Sequence, residues 1–173
     1  FDIRKDALYC DPINSEKRKS TLLVLNIILD ILLKWFAPIL SFTTEEIYQL
    51  VANKRKSVHL EKFLDFPKSF ENKSLYEKWI KLLKIRDACN LSIEEKRAKK
   101  EIGSSLEAIL NLKVNKKDFE TLHGIDLAEL CITSSANIIN NDSEEIVIET
   151  IKAEGKKCPV CWKISKGPCS RHD

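Results

Sequence analysis

The feature that most limits how this chain can fold is the stretch from Thr21 to Tyr48, TLLVLNIILDILLKWFAPILSFTTEEIY. Its first sixteen residues are apolar except for Thr21, Asn26, Asp30 and Lys34. The last three are spaced four apart, so on a helix they form one narrow polar seam. A helix apolar around the rest of its circumference is either a membrane span or the central rod of a bundle. A span needs about 20 apolar residues, and Asp30 and Lys34 would sit in lipid. The pattern therefore predicts a buried rod, with every side but the seam facing protein. Each large apolar side chain contributes roughly 1.5–3 kcal/mol when buried, so other helices are expected to surround it.

Pro38 stops that rod and biases Ala37 toward an extended conformation. Thr43 and Glu46 match a capping box for a third helix from Thr44 to about Ala52, with Phe42 and Ile47 as a hydrophobic staple. Upstream, FDIRKDALYC reads as the tail of a helix burying Phe1, Ile3, Leu8 and Tyr9. Asp11-Pro12 breaks it, and Asn14 or Ser15 caps the rod. After the basic Asn53–Lys56 stretch, residues 53–74 show no period. Three phenylalanines there suggest a loop pinned to the bundle.

A long amphipathic helix is predicted over about Leu75–Lys100, with Leu75, Trp79, Leu82, Leu83, Arg86, Cys89, Asn90 and Ile93 at three-four spacing. Its last turns, EEKRAKKE, lose the stripe and become basic. Two readings stay open: a solvated helix end suited to the helix dipole, and an arm that contacts RNA phosphates. Gly103 ends the helix. Leu106, Ala108, Leu110, Leu112 and Val114 then alternate as a strand does. A short helix over Lys116–Leu122 should follow, then a strand around Leu130–Ala136, an Asn-Asn-Asp turn and a strand near Ile146–Lys152. His123 reads as a helix-end residue with no catalytic role.

The 173 residues are enough for one good core and a small appendage. Charged residues at 32 % and apolar ones at 43 % are usual for a soluble globular chain. There is no methionine, and the opening residues are already in helical stride, which suggests a piece of a larger protein. Net charge is only +3, but Lys152–Asp173 carries six Lys/Arg against two acids, a local +4, so the other 151 residues sum to −1. No signal peptide or lipidation motif is present. Cys10, Cys89 and Cys131 read as ordinary buried thiols. Cys158, Cys161 and Cys169 fall within twelve residues, a clustering that suits metal binding in a reducing, cytoplasmic setting.

The tail offers Cys158-x2-Cys161-x7-Cys169-x2-His172, two close pairs of ligands joined by a short loop. Zinc favours that donor set in a tetrahedron, and four protein ligands close the site, so a structural ion is expected. Without it the last nineteen residues have no core of their own. Three thiolates and a neutral imidazole leave a divalent site at −1, which Lys156, Lys157, Lys163 and Arg171 would offset. Trp162, directly after the second cysteine, either packs on the knuckle or presents its face to an unstacked base.

The stretches FDIRKDALYCD, WFAPILSFTTEEIY, RAKKEIGSSLEA and the terminal CPVCW resemble, in order and rough spacing, those of the isoleucyl-tRNA synthetase family of bacterial type. The helical bundle resembles that of class I aminoacyl-tRNA synthetases for aliphatic amino acids. Two departures stand out. Ala7 occupies a position where the family commonly has arginine, and CSRH replaces the usual second Cys-x-x-Cys pair. Lys163-Ile164-Ser165-Lys166 looks like the family's KMSKS loop, but no HIGH motif accompanies it and it lies between metal ligands, so that reading is rejected.

The resemblance implies a mainly α fold: an anticodon-binding helical bundle over 1–103, a small α/β junction domain over 104–154 and a zinc knuckle over 155–173. It implies a C-terminal region that grips the anticodon stem-loop of tRNA(Ile), with ATP, the aminoacylation site and the editing domain in a part N-terminal to Phe1. The fragment itself would carry no catalytic residue. Arg97, Lys99 and Lys100 would meet phosphates, with Arg4 and Lys5 as secondary candidates. Trp162, Lys163 and Arg171 would meet bases. A monomer with no DNA or membrane partner is expected. The alternatives are a helical protein-interaction module with a structural zinc knuckle and a general RNA-binding knuckle protein.

Overall fold

The computed structural model describes residues 1–52, 56–141, 145–169 and 171–172. About half of the chain is helical, with a small mixed sheet. Contacts group it into two compact units, Ala7–Glu71 and a second one made of Phe1–Asp6 with Asn72–Asp173.

A 3-10 turn at Asp2–Arg4 leads into α1 (Lys5–Tyr9), where the buried residue is Ala7. Phe1 and Tyr9, expected inside, are exposed; a five-residue helix has room to hide only one face. Within the first unit, α2 (Glu16–Phe36) starts at Ser15, whose hydroxyl accepts the Arg18 N–H at 3.3 Å. It ends at Phe36, as Pro38 requires. Ala37 nevertheless stays helical in φ and ψ, because the N–H groups of Ile39 and Leu40 both donate to the Phe36 carbonyl and close a tight turn.

The third helix, α3 (Ser41–Ala52), begins earlier than the capping-box reading requires. The Thr44 N–H and hydroxyl both donate to the Leu40 carbonyl, so Thr43 and Glu46 lie inside the helix instead of framing it. Phe42 is 93 % exposed and staples nothing. Of the basic Asn53–Lys56 stretch, residues 53–55 lie outside the described residues.

The rod itself departs most from expectation. Its core contribution is narrow: Leu33 and Ala37 pack with Tyr48 and Val58, flanked by Leu29 and Ile47. Leu22, Leu23, Val24, Ile28, Leu32 and Trp35 are exposed. Of the polar seam only the C-terminal end is covered: Lys34 is buried with its ammonium 2.7 Å from the half-buried Asp30, while Asn26 is exposed. α3 and the 3-10 turn at Val58–Leu60 pack on α2 along the side that carries Leu29, Leu33 and Ala37. Phe63, Phe66 and Phe70 are likewise exposed, so the loop carrying them is not pinned by its rings.

The second unit buries its apolar residues far better. Asn72 caps α4 (Lys73–Ala98) by accepting the Leu75 N–H at 2.9 Å. At 26 residues the helix is about 39 Å long. Its inner face is Leu82, Ile85, Cys89 and Ile93, while Leu75 and Leu83, expected on the stripe, are exposed. That face packs on a three-stranded sheet ordered β2-β1-β3, made of β1 (Ala108–Val114), β2 (Ser135–Asn140) and β3 (Val147–Lys152). The central β1 runs parallel to β2 and antiparallel to β3. Its alternation holds from Ala108 onward, with Ala108, Leu110, Leu112 and Val114 all fully buried, while Leu106, expected to begin the strand, lies half-buried in a 3-10 turn over Ser105–Glu107.

Two side chains tie the helix to this layer. The Ser92 and Thr150 hydroxyls are 2.7 Å apart, and Arg86 Nε donates to the Leu130 carbonyl at 2.9 Å. The connection from β1 runs through α5 (Lys116–Leu122), with the residues expected, and His123 is its C-terminal cap. Residues expected to start a strand near Leu130 instead form α6 (Leu127–Leu130), capped by Asp126 accepting the Glu129 N–H. The strand begins only at Ser135, after the buried Thr133. The Asn-Asn-Asp turn extends outside the described residues at Asp142. Cys89 and Cys131 are buried in the core, and Cys10 is half-buried. No helix among the described residues is long and apolar enough to cross a membrane.

Candidate metal centre and nucleic-acid face

The four residues singled out at the tail come together in the second unit. A two-residue hairpin, β4 (Lys156–Lys157) and β5 (Ile164–Ser165), holds the first pair of ligands at its tip. Gly155 precedes it at φ 133°, and a Cβ there would lie 2.1 Å from the Ser165 carbonyl, so only glycine lets the strands approach this closely. The Cys158 N–H donates to the Lys163 carbonyl and the Trp162 N–H to the Cys158 carbonyl, folding Cys158–Trp162 into a knuckle with Trp162 at φ 65°. The second pair follows Lys166-Gly167-Pro168, with the His172 N–H donating to the Cys169 carbonyl.

The ligand atoms of Cys158, Cys161, Cys169 and His172 all lie within 4.8 Å of one another. Cys161 Sγ and Cys169 Sγ are 3.7 Å apart. His172 Nδ1 is 3.6 Å from Cys158 Sγ and 3.4 Å from Cys169 Sγ. A tetrahedral ion about 2.3 Å from sulfur and about 2.05 Å from nitrogen would separate sulfur from sulfur by about 3.8 Å and sulfur from nitrogen by about 3.6 Å. The three observed edges fit such a tetrahedron, so the cluster can hold a metal ion, with Nδ1 the imidazole donor. The backbone N–H groups of Cys161 and Val160, aimed at Cys158, hold its thiol down at about 6. Burial pushes the Cys161 thiol up to about 11.

The knuckle is fastened to the rest of its unit at two points. The Ser134 hydroxyl donates to the Leu106 carbonyl and accepts the Ile164 N–H at 2.7 Å. Arg171 Nη1 lies 3.2 Å from Asp6 Oδ2, with both side chains about three-quarters covered. Arg171, read from the sequence as a base contact, is thus held by a carboxylate. Trp162 is 58 % exposed, and the Lys157 ammonium sits 5.1 Å from its ring centroid. Lys163 is half-buried beside it and lends its carbonyl to the knuckle.

The residues proposed as phosphate contacts lie at the other basic feature, the end of α4. The helix closes in a Schellman motif: the Lys100 N–H donates to the Arg97 carbonyl and the Glu101 N–H to the Lys96 carbonyl. Lys100, at φ 58°, takes the left-handed cap position that Gly103 was expected to fill. Arg97 and Lys100 line a cleft of about 570 Å³ together with Lys152, but Glu94, Glu101 and Glu107 line it too. Arg97 is paired with Glu94 at 2.7 Å. Lys99, the helix C-cap residue, is exposed. Of the secondary candidates, Arg4 is paired with Glu129 and Lys5 with Asp2.

Three contributors were not legible as such. Lys157 read only as charge compensation, although its place at the end of β4, directly before the first cysteine, sets it beside the indole. Asp6 and Ser134 carry no motif, because their partners lie 165 and 30 residues away.

Residues 1–114 match the anticodon-binding domain of tRNA ligase. Over 172 residues the chain is 62 % identical to the isoleucine–tRNA ligase of Pelagibacter ubique, covering 99 % of this chain and 19 % of that protein. It is 39 % identical over 176 residues to the corresponding ligase of Agrobacterium fabrum, covering 95 % of this chain and 18 % of that protein. With the ligase of Methylacidiphilum infernorum it shares 43 % identity over 165 residues, again 95 % of this chain and 18 % of that protein. The chain spans about a fifth of the length of the curated relatives it matches. A family match covering well over half of the residues, on a helical chain, places this protein in the anticodon-binding domain family of the tRNA ligases.

Proposed function

We propose that this chain is the region of an isoleucine–tRNA ligase that grips the anticodon stem-loop of tRNA(Ile). It holds the tRNA so that the acceptor end reaches an ATP-dependent aminoacylation site elsewhere in the enzyme, and it performs no chemistry itself. The observation that carries this reading is the match of residues 1–114 to an anticodon-binding domain, continued by 62 % identity to an isoleucine–tRNA ligase over nearly the whole chain. The division into a class I type bundle over 1–103, an α/β junction over 104–154 and a knuckle over 155–173 belongs to the same proposal.

The ion in the Cys158, Cys161, Cys169 and His172 cluster is zinc, and its role is structural, since four protein donors leave no open position for a reacting water. It supplies the charge and cross-linking that a segment without a core lacks. Around it, Trp162 offers an exposed indole for an unstacked base, with Lys163 adjacent. Arg171, paired with Asp6, orients the knuckle and reaches RNA only by leaving that partner. Arg97, Lys99 and Lys100 meet the backbone and set position without reading sequence. The enzyme works as a cytoplasmic monomer on this reading.

Binding of tRNA transcripts to the chain at 150 mM KCl tests it. Preference for an isoleucine tRNA over other tRNAs is the expected result. Equal binding to all would favour a general RNA-binding knuckle protein, and no binding a protein-interaction module. Trp162→Ala should weaken binding by about 1–3 kcal/mol, the scale of one lost base stack.

A further inference from the structure

Two clefts among the described residues of the second unit differ in one respect that decides which can receive a polyanion. The cleft at the end of α4 sets three glutamates against its three basic residues. The other, of about 430 Å³, lies between the β4–β5 hairpin and the loop to Cys169 and is lined by Lys156, Lys157 and Lys166 with no acid among its lining residues. We propose that this second cleft is a phosphate subsite for single-stranded RNA, contiguous with a base held on Trp162. The inference rests on the RNA-binding reading above and adds to it Lys157 and Lys166 as the groups that meet the backbone.

The geometry supplies the link between phosphate and base. Lys157 belongs to both places: it lines the cleft, and its ammonium lies 5.1 Å from the Trp162 ring centroid. A nucleotide stacked on the free face of the indole therefore brings its own phosphate toward a lysine already held beside that ring. Lys166 faces Glu154 at 3.0 Å, but both side chains are more than three-quarters exposed, so water screens the pair and a phosphate can displace the carboxylate. Even with the metal centre at −1, the three lysines leave the cleft positive.

The cleft is also built rather than incidental. Gly155 lets the hairpin strands close, the Ser165 hydroxyl donates to the Gly167 carbonyl at 2.6 Å, and the Ile164 N–H is anchored on Ser134. One wall is thereby fixed to the sheet and the other to the metal ligands. Phosphate binding by preplaced lysines costs little ordering.

The test is the salt dependence of binding to an isoleucine tRNA transcript between 50 and 200 mM KCl. It compares the unaltered chain, the double variant Lys157→Ala with Lys166→Ala, and a control of equal charge change on α5, Lys116→Ala with Lys117→Ala. Losing one or two phosphate contacts on a single strand should flatten the slope of log K against log salt by about 0.7–1.4. The control slope should stay unchanged, and metal content should be equal in all three. An unchanged slope in the Lys157, Lys166 variant overturns the subsite while leaving the RNA-binding reading intact. Equal flattening in the control also overturns it, because the effect would then be net charge alone. Failure of the unaltered chain to bind at 50 mM would remove the RNA-binding reading and the subsite with it.

Discussion

The two units handle hydrophobic sequence in opposite ways. In the Phe1–Asp6 and Asn72–Asp173 unit, β1 has alternating residues and every inward one is fully buried. In the Ala7–Glu71 unit, α2 is apolar around most of its girth, yet Leu22, Leu23, Val24, Ile28, Leu32 and Trp35 remain exposed. A strand between two neighbours, with α4 on the sheet, finds cover within its own unit. A helix needs cover along several directions, and α3 with one 3-10 turn supplies a single side. Hydrophobicity states how much cover an element requires; it does not say that the same stretch of chain contains it.

Metal removal should separate core from knuckle most sharply. Structural zinc contributes on the order of 10 kcal/mol or more to small sites. Chelation, or Cys161→Ser, should therefore unfold residues 156–172 while β1, β2 and β3 keep their amide protection in hydrogen exchange. Loss of protection in β1 as well would mean that the knuckle and the sheet fold as one body.

A pair of truncations bears directly on the contrast between the units. Leu112→Ala, at a fully buried position, should cost about 2–5 kcal/mol in urea unfolding. Leu23→Ala, 62 % exposed, should stay within about 0.5 kcal/mol. A large effect at Leu23 would show that α2 is covered in solution, for instance by self-association, which the dependence on protein concentration would reveal.

Lys100→Gly should raise stability by about 1 kcal/mol, because glycine removes the Cβ clash at φ 58°. It also removes a charge proposed to meet RNA. A rise in melting temperature accompanied by a shallower salt slope would assign Lys100 both roles; a rise with the slope unchanged would leave it a cap alone.

The smallest effect lies in the α2 unit, where a polar clasp supplements a thin core. Glu45 accepts from Gln49 Nε2, the Val58 N–H and the Ser57 hydroxyl at 2.8–2.9 Å. These donors, Gln49 first, hold its carboxyl below its usual value of 4.5. A depressed folded value stabilises the fold above the unfolded value and loses that contribution as pH falls through the folded one. Protection of the Val58 amide, taken relative to its intrinsic exchange rate, should fall below pH 4.5, and Glu45→Gln should abolish that acid dependence.

The resemblance and the spacing of Cys158, Cys161, Cys169 and His172 were legible because both are local: four donors within fifteen residues need only a short loop to meet. Helix α5 and the β1 alternation were legible for the same reason. The strand expected near Leu130 was misread, because Asp126 caps a helical turn that competes with the β propensity of Cys131 and Ile132. The capping box at Thr43 was misread because the chain after Pro38 keeps turning, so the helix starts before it.

From its residues alone, then, this protein is a helical chain with an alternating strand and a tail carrying four metal-type donors, since periodicity, caps and ligand spacing act over a few residues and their energies are set locally. Only the tertiary structure decided which side of α2 is covered, that Lys100 rather than Gly103 closes α4, and that Ser134 and Asp6 fasten the knuckle. Those outcomes depend on groups brought together from distant parts of the chain, and nothing in a short window of sequence encodes which partner arrives.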